Sequence, residues 1–384
     1  MFFSIFCKFL LLGCTSFGGP AAHIGYFRKE FVERLGWASE EEYGQWVALS
    51  QIMPGPGSSQ VGFAVGYHRA GLMGAIAAFL GFTLPSVVLI TAFAALGMQF
   101  ANSAVFLGVL GALKLMAVVV VIDAIWGMAN TFCKTNSTRL VALLGAVFIL
   151  LWPFALSSLL LVFLAAIIGA YWFTDSQPTQ IKTHISSHVA YITLAVFCGL
   201  FVLTSFIHGT GWLALFAQLF QAGSLVFGGG HVVLPLMSEQ LAGFISTEHL
   251  LTGYAAAQAV PGPMFTLATY LGAVTAPEGA RVAWALLATI GIFLPGLMLM
   301  LVGQKCWQFV SHKPRVQGAV KAINAAVVGL LLATLIFPVI PSSVSSVWQV
   351  IVVLLALLWL RTRKPAIWQL VSAFVVAGMV SALF

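Results

Sequence analysis

Four glycine- and proline-rich motifs hold the residues of this sequence that are best suited to binding a small anion. They are Phe17-Gly18-Gly19-Pro20, Pro54-Gly55-Pro56-Gly57, Phe227-Gly228-Gly229-Gly230-His231 and Pro261-Gly262-Pro263. All lie in apolar surroundings, where Gly and Pro interrupt helices. The amino end of an interrupted helix attracts an anion, because its N–H groups are unpaired and carry partial positive charge. We therefore predict that the four breaks converge near the middle of a membrane and replace the water around an oxyanion.

Polar side chains beside these motifs extend the predicted site. Ser58, Ser59 and Gln60 follow the first PGP motif, Thr266 follows the second, and a Gln precedes each PGP motif. Together with two lysines, the predicted binding residues are Gly18, Gly19, Gln51, Pro54, Gly55, Pro56, Gly57, Ser58, Ser59, Lys114, Gly228, Gly229, Gly230, His231, Gln258, Pro261, Gly262, Pro263 and Lys321. The alternative interpretation is that these motifs only let irregular helices pack closely.

The two lysines lie inside apolar runs, one in each half of the chain. A lysine that faces lipid costs ~2.5–3.5 kcal/mol, so Lys114 and Lys321 should face the protein interior or water. We predict that both face the bound anion. The alternative is that each side chain extends its amino group to the membrane interface.

Two further titratable residues are candidates for proton coupling. Asp123 lies nine residues after Lys114 (114 to 123), which places it about 180° around a helix, so it is not a simple partner for that lysine. His231 follows the second glycine run, and histidine is the side chain that most commonly serves as a proton carrier near neutral pH. A buried hydrogen bond for Asp123 and a packing role for His231 are the alternatives. We expect His23 and Glu239 to be solvated.

Composition excludes most other classes of protein. Hydrophobic residues make up 61% of the 384 residues, charged residues only 7%, and the mean hydropathy is +1.04, whereas soluble domains are about 25% charged. We predict an all-α, multi-pass membrane protein embedded in a lipid bilayer. The net charge of +7 then reflects topology rather than nucleic-acid binding. Catalytic and metal-ligand constellations are lacking, so we predict neither an enzyme nor a metal or cofactor site.

The motifs recur at nearly constant spacing, which indicates an internal duplication. Two landmarks repeat after 210 residues (17 to 227, and Leu84-Pro85 to Leu294-Pro295), and two after 207 (54 to 261, and 114 to 321). We predict a first transporter repeat at 1–173, a linker and connecting helix at 174–210, and a second repeat at 211–384.

The distribution of charge indicates that the two repeats have inverted topology. The basic loop around Lys134 corresponds to the uncharged loop at 338–346, as the positive-inside rule requires of inverted repeats. Arg69 and Arg281 are the exception, because here both halves have a basic residue in the corresponding loop. If all four motifs form re-entrant elements, the amino terminus lies inside, the segment at 28–35 lies at the cytoplasmic interface, and the carboxyl terminus lies outside. The crossings are then nine, at about 70–98, 104–131, 140–152, 155–173, 189–207, 282–304, 318–338, 345–360 and 366–384.

The sequence resembles the chromate ion transporter family in its long, two-domain form. The blocks that carry the resemblance are Thr15–Arg28, Gln51–Gly62, Gly81–Ser86, Val226–Pro235 and Ala257–Pro263. The resemblance implies chromate efflux across the bacterial cytoplasmic (inner) membrane and chromate resistance, with sulfate as a competing analogue. A chromate antiporter and a homodimer are compatible with it. The residues leave open a transporter of sulfate or another oxyanion, an anion channel, and a membrane sensor or assembly factor, and they do not identify a coupling ion.

Overall fold

The described part of the chain is helical and contains no β-strand. The computed structural model describes residues 1–16, 19–100, 103–152, 157–173, 186–227, 233–241, 244–310, 313–363 and 365–381. The predicted all-α, polytopic membrane fold is confirmed, since several of these helices are long and strongly apolar.

The described residues of the first half form seven α-helices. A π-helical segment, Arg28–Arg34, follows the second of them. The helices are α1 (Phe2–Thr15), α2 (Gly19–Phe27), α3 (Glu40–Ile52), α4 (Gly57–Gln99), α5 (Ala104–Phe132), α6 (Asn136–Leu151) and α7 (Ser157–Trp172).

The second half repeats this order after one additional helix. The additional helix is α8 (Ser187–Ser205), which lies where the sequence predicts a connecting helix. The remaining helices are α9 (Trp212–Leu225), α10 (Val233–Gln240), α11 (Thr247–Ala259), α12 (Leu267–Thr275), α13 (Arg281–Val310), α14 (Pro314–Thr334), α15 (Ile340–Ser343), α16 (Val347–Arg363) and α17 (Ile367–Ser381). The helices α3 and α11, each 13 residues long, illustrate the correspondence, because they begin 207 residues apart (40 to 247).

The long helix α4 is two helices joined at a break. Ala70 and Gly71 leave helical geometry there, and Gly71 has a φ of 60°. The first part, 57–69, is shorter than the about 20 residues that a membrane crossing requires, whereas the second part, 72–99, is long enough. In the second half, α12 and α13 are likewise separated by 276–280. The crossings predicted at 70–98 and 282–304 therefore coincide with the long helices that follow these breaks.

Within the described ranges, five helical segments are long and apolar enough to cross a membrane by length and composition. They are Gly57–Gly97, Ala104–Phe132, Ser187–Ser205, Arg281–Cys306 and Pro314–Ser343. The helices α1, α2, α3, α9, α10, α11 and α12, which flank the four motifs, have only 8 to 14 residues each. Such lengths suit re-entrant elements, which remain a prediction together with the inverted topology.

The two halves exchange helices in the packed core. Helix α5 of the first half packs against α16 and α17 of the second, and α14 of the second half packs against α6 and α7 of the first. Glycines allow these close approaches. A Cβ atom on Gly169 of α7 would strike the carbonyl oxygen of Gly318 on α14, and one on Gly318 would strike that of Gly169. The halves are thus interlocked rather than joined only by α8.

Ion pairs organise the charged segment that follows α2. Arg28 contacts Glu33 at 2.6 Å and Glu40 at 2.5 Å, and Arg34 pairs with Glu30. The hydrogen bond from Arg34 lowers the pKa of the Glu30 carboxyl group below its ordinary value. On the opposite face, Phe31 is buried against Phe9. The segment therefore has one charged and one apolar face, as expected of a helix at a membrane interface.

Candidate functional site

The two PGP motifs are each hydrogen-bonded to the other half of the protein. The N–H group of Gly55 donates to the carbonyl oxygen of Val226 at 2.7 Å, and the N–H group of Gly262 donates to that of Ser16 at 3.0 Å. Gly55 and Gly262 are equivalent in the repeat, and so are Ser16 and Val226, each of which directly precedes an FGG motif. The motifs of the two halves therefore meet in a reciprocal junction, which we call the cross-repeat junction.

Close backbone packing makes the junction tight. Gly55 and Gly262 have φ angles of 124° and 108°, a region that other residues rarely adopt. A Cβ atom on Gly55 would lie 2.6 Å from Gly296 Cα, and one on Gly262 would lie 2.9 Å from Ser86 Oγ. Ser86 and Gly296 are again equivalent, since both follow the repeated Leu-Pro pair. Each PGP motif is therefore held against the Leu-Pro segment of the other half.

His23 is a central residue of the junction, and the prediction that it is solvated is wrong. Its side chain is completely buried and lies edge-on to Phe82. Nε2 lies 3.2 Å from the Ser16 carbonyl oxygen, and Nδ1 lies 3.3 Å from Ser58 Oγ. Because a carbonyl oxygen only accepts, Nε2 carries the proton, and Ser58 donates to Nδ1. Packing of α2 against α4 buries the ring, and these two partners satisfy it.

Gln60 ties the first PGP motif to the second half. Its Nε2 donates to the carbonyl oxygens of Pro54 at 2.8 Å and Gly296 at 2.9 Å. Both hydrogens of the amide are therefore used, so the side chain fixes the loop geometry of Gly55. Two donors aimed at two carbonyl groups also fix the orientation of the amide, because the opposite orientation would leave both carbonyl oxygens facing another oxygen.

Several buried polar atoms at the junction have no hydrogen-bond partner among the described residues. They are Ser16 Oγ, Ser59 Oγ, Gln60 Oε1 and Thr83 Oγ1, and none of the four residues is more than 3% exposed. A buried hydroxyl group without a partner is costly, so such groups commonly serve a bound water, ion or ligand. Sequence reasoning included Ser59 in the predicted site but missed Ser16 and Thr83. Their position beside the repeated Phe-Gly-Gly and Leu-Pro landmarks was the available signal.

The polar residues of the second half are engaged locally. Thr266 Oγ1 donates to the Pro263 carbonyl oxygen at 2.8 Å. Gln258 Nε2 lies 3.5 Å from Met264 Sδ. Thr266 and Gln258 are both buried. Tyr254 is also hydrogen-bonded to Gln258. These partners all belong to the second half, so the second motif is stabilised from within its own half.

The two predicted lysines have different surroundings. Lys114 Nζ lies 2.6 Å from Glu248 Oε1 at the beginning of α11. This hydrogen bond lowers the pKa of the Glu248 carboxyl group below its ordinary value of 4.5. Lys321 is exposed and lies over the ring of Phe173, 5.4 Å from its centroid. These contacts do not bring either lysine to the described residues of the junction, and the anion-facing role of both stays a prediction.

The proton-coupling candidate Asp123 is engaged in an ion pair between the halves. Arg361 of α16 lies 3.0 Å from Asp123 and 5.0 Å from the ring centroid of Trp126. Asp123 therefore has a structural partner that the sequence did not identify, and its role in proton coupling remains a prediction. Gly18, Gly228, Gly229, Gly230 and His231 lie outside the described residues, as do the side chains of Gln51 and Glu239.

Broken helices that meet between two equivalent halves of an apolar, all-helical protein define a class of molecule. This architecture is typical of secondary membrane transporters, which bind their substrates where the repeats meet. The model of the chromate transporter family matches residues 3–170 and again residues 213–379. The chain therefore belongs to the chromate transporter family, and the two matches correspond to its long, two-domain form.

Individual relatives match along most of their length. An uncharacterized transporter of Methanocaldococcus jannaschii is 26% identical over 344 residues, which cover 87% of this chain and 83% of that protein. A probable chromate transport protein of Synechococcus elongatus is 26% identical, with 85% and 82% covered. A chromate transport protein of Pseudomonas aeruginosa is 27% identical, with 86% and 80% covered. No solved structure matches the chain.

Proposed function

We propose that the protein exports chromate, or a closely similar tetrahedral oxyanion such as sulfate, from the bacterial cytoplasm across the inner membrane. Family membership supports the substrate class, and the observation that carries the proposal is the cross-repeat junction with its unpartnered hydroxyl groups. Export of chromate from the cytoplasm would confer chromate resistance.

The chemistry of the junction suits an oxyanion. Ser16, Ser59 and Thr83 each offer a hydroxyl hydrogen in a place that water cannot readily reach. The helix that begins at Gly57 adds the unpaired N–H groups and partial positive charge of its first turn. Neutral donors and helix ends can therefore replace the hydration of an anion, and its oxygens accept the hydrogen bonds.

Electrical energy favours the outward direction. At an interior-negative potential of ~100 mV, moving two negative charges outward releases ~4.6 kcal/mol, at about 2.3 kcal/mol per charge. Export of a dianion can therefore run on voltage alone or by exchange with another ion. Import would require at least two co-transported cations to balance the charge.

A difference between the two halves supports alternating access as the mechanism. Lys114 and Glu248 form an ion pair, whereas their repeat equivalents, Lys321 and Glu41, do not make this contact. Glu41 instead accepts from Gln45 at 3.4 Å. With the predicted inverted topology, the closed pair lies on the outer side and the open one on the inner side. We propose that the two pairs close in turn as the substrate crosses.

Transport into everted vesicles, or by purified protein in liposomes, tests the function. We expect saturable chromate flux that is driven by voltage and reduced by sulfate, with molybdate and phosphate as further competitors. Liposomes without the protein serve as the control. Absence of chromate flux in protein that remains folded would contradict the proposed function.

A channel is the alternative that the same assay distinguishes. Channel flux would not saturate at low substrate concentration and would not be coupled to a counter-ion. Gly55 packs tightly against Gly296, which leaves no open space between the halves at this point of the junction. This packing favours a transporter over a channel with a continuous pore.

A further inference from the structure

Among the described residues of the cross-repeat junction, five polar side chains of the first half have apolar equivalents in the second half. The duplication should give each of them an equivalent in the second half, but the equivalents are apolar. Ser16, His23, Ser58, Gln60 and Thr83 correspond to Val226, Val233, Phe265, Leu267 and Phe293. The junction is therefore reciprocal in its backbone hydrogen bonds and one-sided in its side-chain chemistry.

Ser59, in contrast, has a polar equivalent, but the hydroxyl group of that equivalent is already used. Ser59 corresponds to Thr266. Thr266 Oγ1 donates to the Pro263 carbonyl oxygen, whereas Ser59 Oγ has no partner among the residues that the structure describes. Two hydroxyl groups in equivalent positions thus differ in whether their hydrogen is available to a ligand.

The residues that carry the available hydroxyl groups are connected to one another through Gly262 and His23. The Ser16 carbonyl oxygen accepts from both Gly262 and His23. Gly262 also packs against Ser86 and the carbonyl oxygen of Phe82, the residue next to Thr83. His23 accepts from Ser58, the residue next to Ser59. Ser16, Ser59 and Thr83 are therefore each within one residue of a group that contacts Gly262 or His23.

Two other polar residues of the first half have different roles. The hydroxyl hydrogen of Ser58 is committed to His23. The unpartnered atom of Gln60 is an acceptor oxygen, and its donor nitrogen is committed to two carbonyl groups. An oxyanion requires donors, so Ser58 and Gln60 position the site and do not supply hydrogen bonds to the ligand.

We propose that the side chains that bind the oxyanion come from the first half alone, namely the hydroxyl groups of Ser16, Ser59 and Thr83. The second half contributes backbone contacts and an apolar cover that includes Val226, Phe265 and Phe293. This inference rests on the proposed function, because it specifies the donor set of the same site. It replaces the expectation of two equivalent sets of side-chain donors with one set.

The equivalent pair Ser59 and Thr266 provides a matched test. We expect Ser59→Ala to raise the KM for chromate in proteoliposomes by about tenfold or more, because the variant loses a hydrogen bond to a charged ligand, which is stronger than a hydrogen bond between neutral groups. Thr266→Val should leave KM within about twofold, because its hydroxyl group is committed to Pro263. Ser59→Thr, which keeps a hydroxyl group, should restore most of the affinity. Ser16→Ala and Thr83→Val should resemble Ser59→Ala.

Thermal stability in detergent separates binding from folding. Since the three hydroxyl groups have no protein partner, their removal should leave the unfolding temperature unchanged or raise it, while KM rises. An increase in KM for Thr266→Val equal to that for Ser59→Ala would overturn the one-sided site, and so would an unchanged KM in all three first-half variants. In both cases wild-type transport persists, whereas failure of the proposed function would appear as absent wild-type flux.

Discussion

Gly55 lies so close to Gly296 that a Cβ atom at position 55 would be 2.6 Å from Gly296 Cα. The equivalent contact, between Gly262 and Ser86, involves a side-chain oxygen instead of backbone. The two halves thus pack through the same pair of positions with unequal tolerance. A backbone contact cannot be relieved by a side-chain rotation, whereas Ser86 Oγ can move.

Alanine substitutions at these glycines should therefore have unequal effects. Gly55→Ala and Gly262→Ala both introduce backbone strain of about 1–3 kcal/mol, but Gly55→Ala should lower the unfolding temperature further. Adding Ser86→Gly should partly rescue Gly262→Ala, since it recreates the glycine that the other half has at 296. Thermal unfolding in detergent measures each variant, and Gly199→Ala, with open space around it, is the control. Equal effects of both substitutions, with no rescue, would contradict this packing.

The glycines at positions 111 and 318 are equivalent in the repeat but differ in surroundings. A Cβ atom on Gly318 would strike the carbonyl oxygens of Gly169 and Phe173, whereas one on Gly111 meets nothing within 4 Å. Gly318→Ala should destabilise the protein by about 1–3 kcal/mol or more through overpacking. Gly111→Ala should be neutral or stabilise α5 by up to about 1 kcal/mol. Unfolding temperatures of the two variants test the contact between α7 and α14, and similar values would count against it.

Cysteine cross-linking should reveal whether the two lysine–glutamate pairs alternate. In a protein without its native cysteines, a bifunctional thiol reagent of about the length of the ion pair should cross-link Lys114→Cys with Glu248→Cys readily, and it should not cross-link Lys321→Cys with Glu41→Cys. A chromate gradient that drives transport should lower the cross-linking yield of the 114/248 pair and raise that of the 321/41 pair. Asp123→Cys with Arg361→Cys, placed on two helices that pack together, is the control and should stay constant. If chromate changed the cross-linking yield of neither lysine–glutamate pair, the proposed alternation would be excluded.

The pair of Lys114 with Glu248 should also make stability depend on pH. The pKa of Glu248 is lowered by the hydrogen bond from Lys114, so this stabilisation is present above the ordinary pKa of 4.5 and is lost as the pH falls through the lowered value. The Glu248 side chain is 68% exposed. We therefore expect the free energy of unfolding at pH 7 to be higher for the wild type than for Glu248→Gln by about 1 kcal/mol or less. The difference should vanish in acid. A difference that grows as the pH falls would contradict the ion pair.

The repeat and the positions of the long helices could be predicted because they depend on local sequence. Apolar runs separated by Gly and Pro predicted a crossing at about 70–98, where the structure has a long helix at 72–99. The recurrence of the motifs predicted which segments meet at the junction. The partner of Lys114 was not predictable, since Glu248 lies 134 residues away in the chain. His23 was misjudged for the same reason, because its burial depends on Ser58 and Phe82 of another helix.

The hydroxyl groups of the proposed site could not be identified from sequence spacing alone. Spacing within one half places Ser59 beside a PGP motif, but it does not bring Ser16 near Gly262. Nor does it show that the hydroxyl hydrogen of Thr266 is committed to Pro263. Those properties arise only when the two halves pack together, which is also why the lysines were more conspicuous in the sequence than the hydroxyl groups.

Locating a bound oxyanion in an experimental structure tests the central claim most directly. Chromium scatters strongly, so crystals or cryo-EM samples prepared with chromate would identify the ion, and Ser59→Ala would serve as the comparison. We predict density at the cross-repeat junction, within hydrogen-bonding distance of Ser16, Ser59 and Thr83, and weaker density in the variant. A chromate ion bound instead beside Lys114 or Lys321, with the junction empty, would contradict the account.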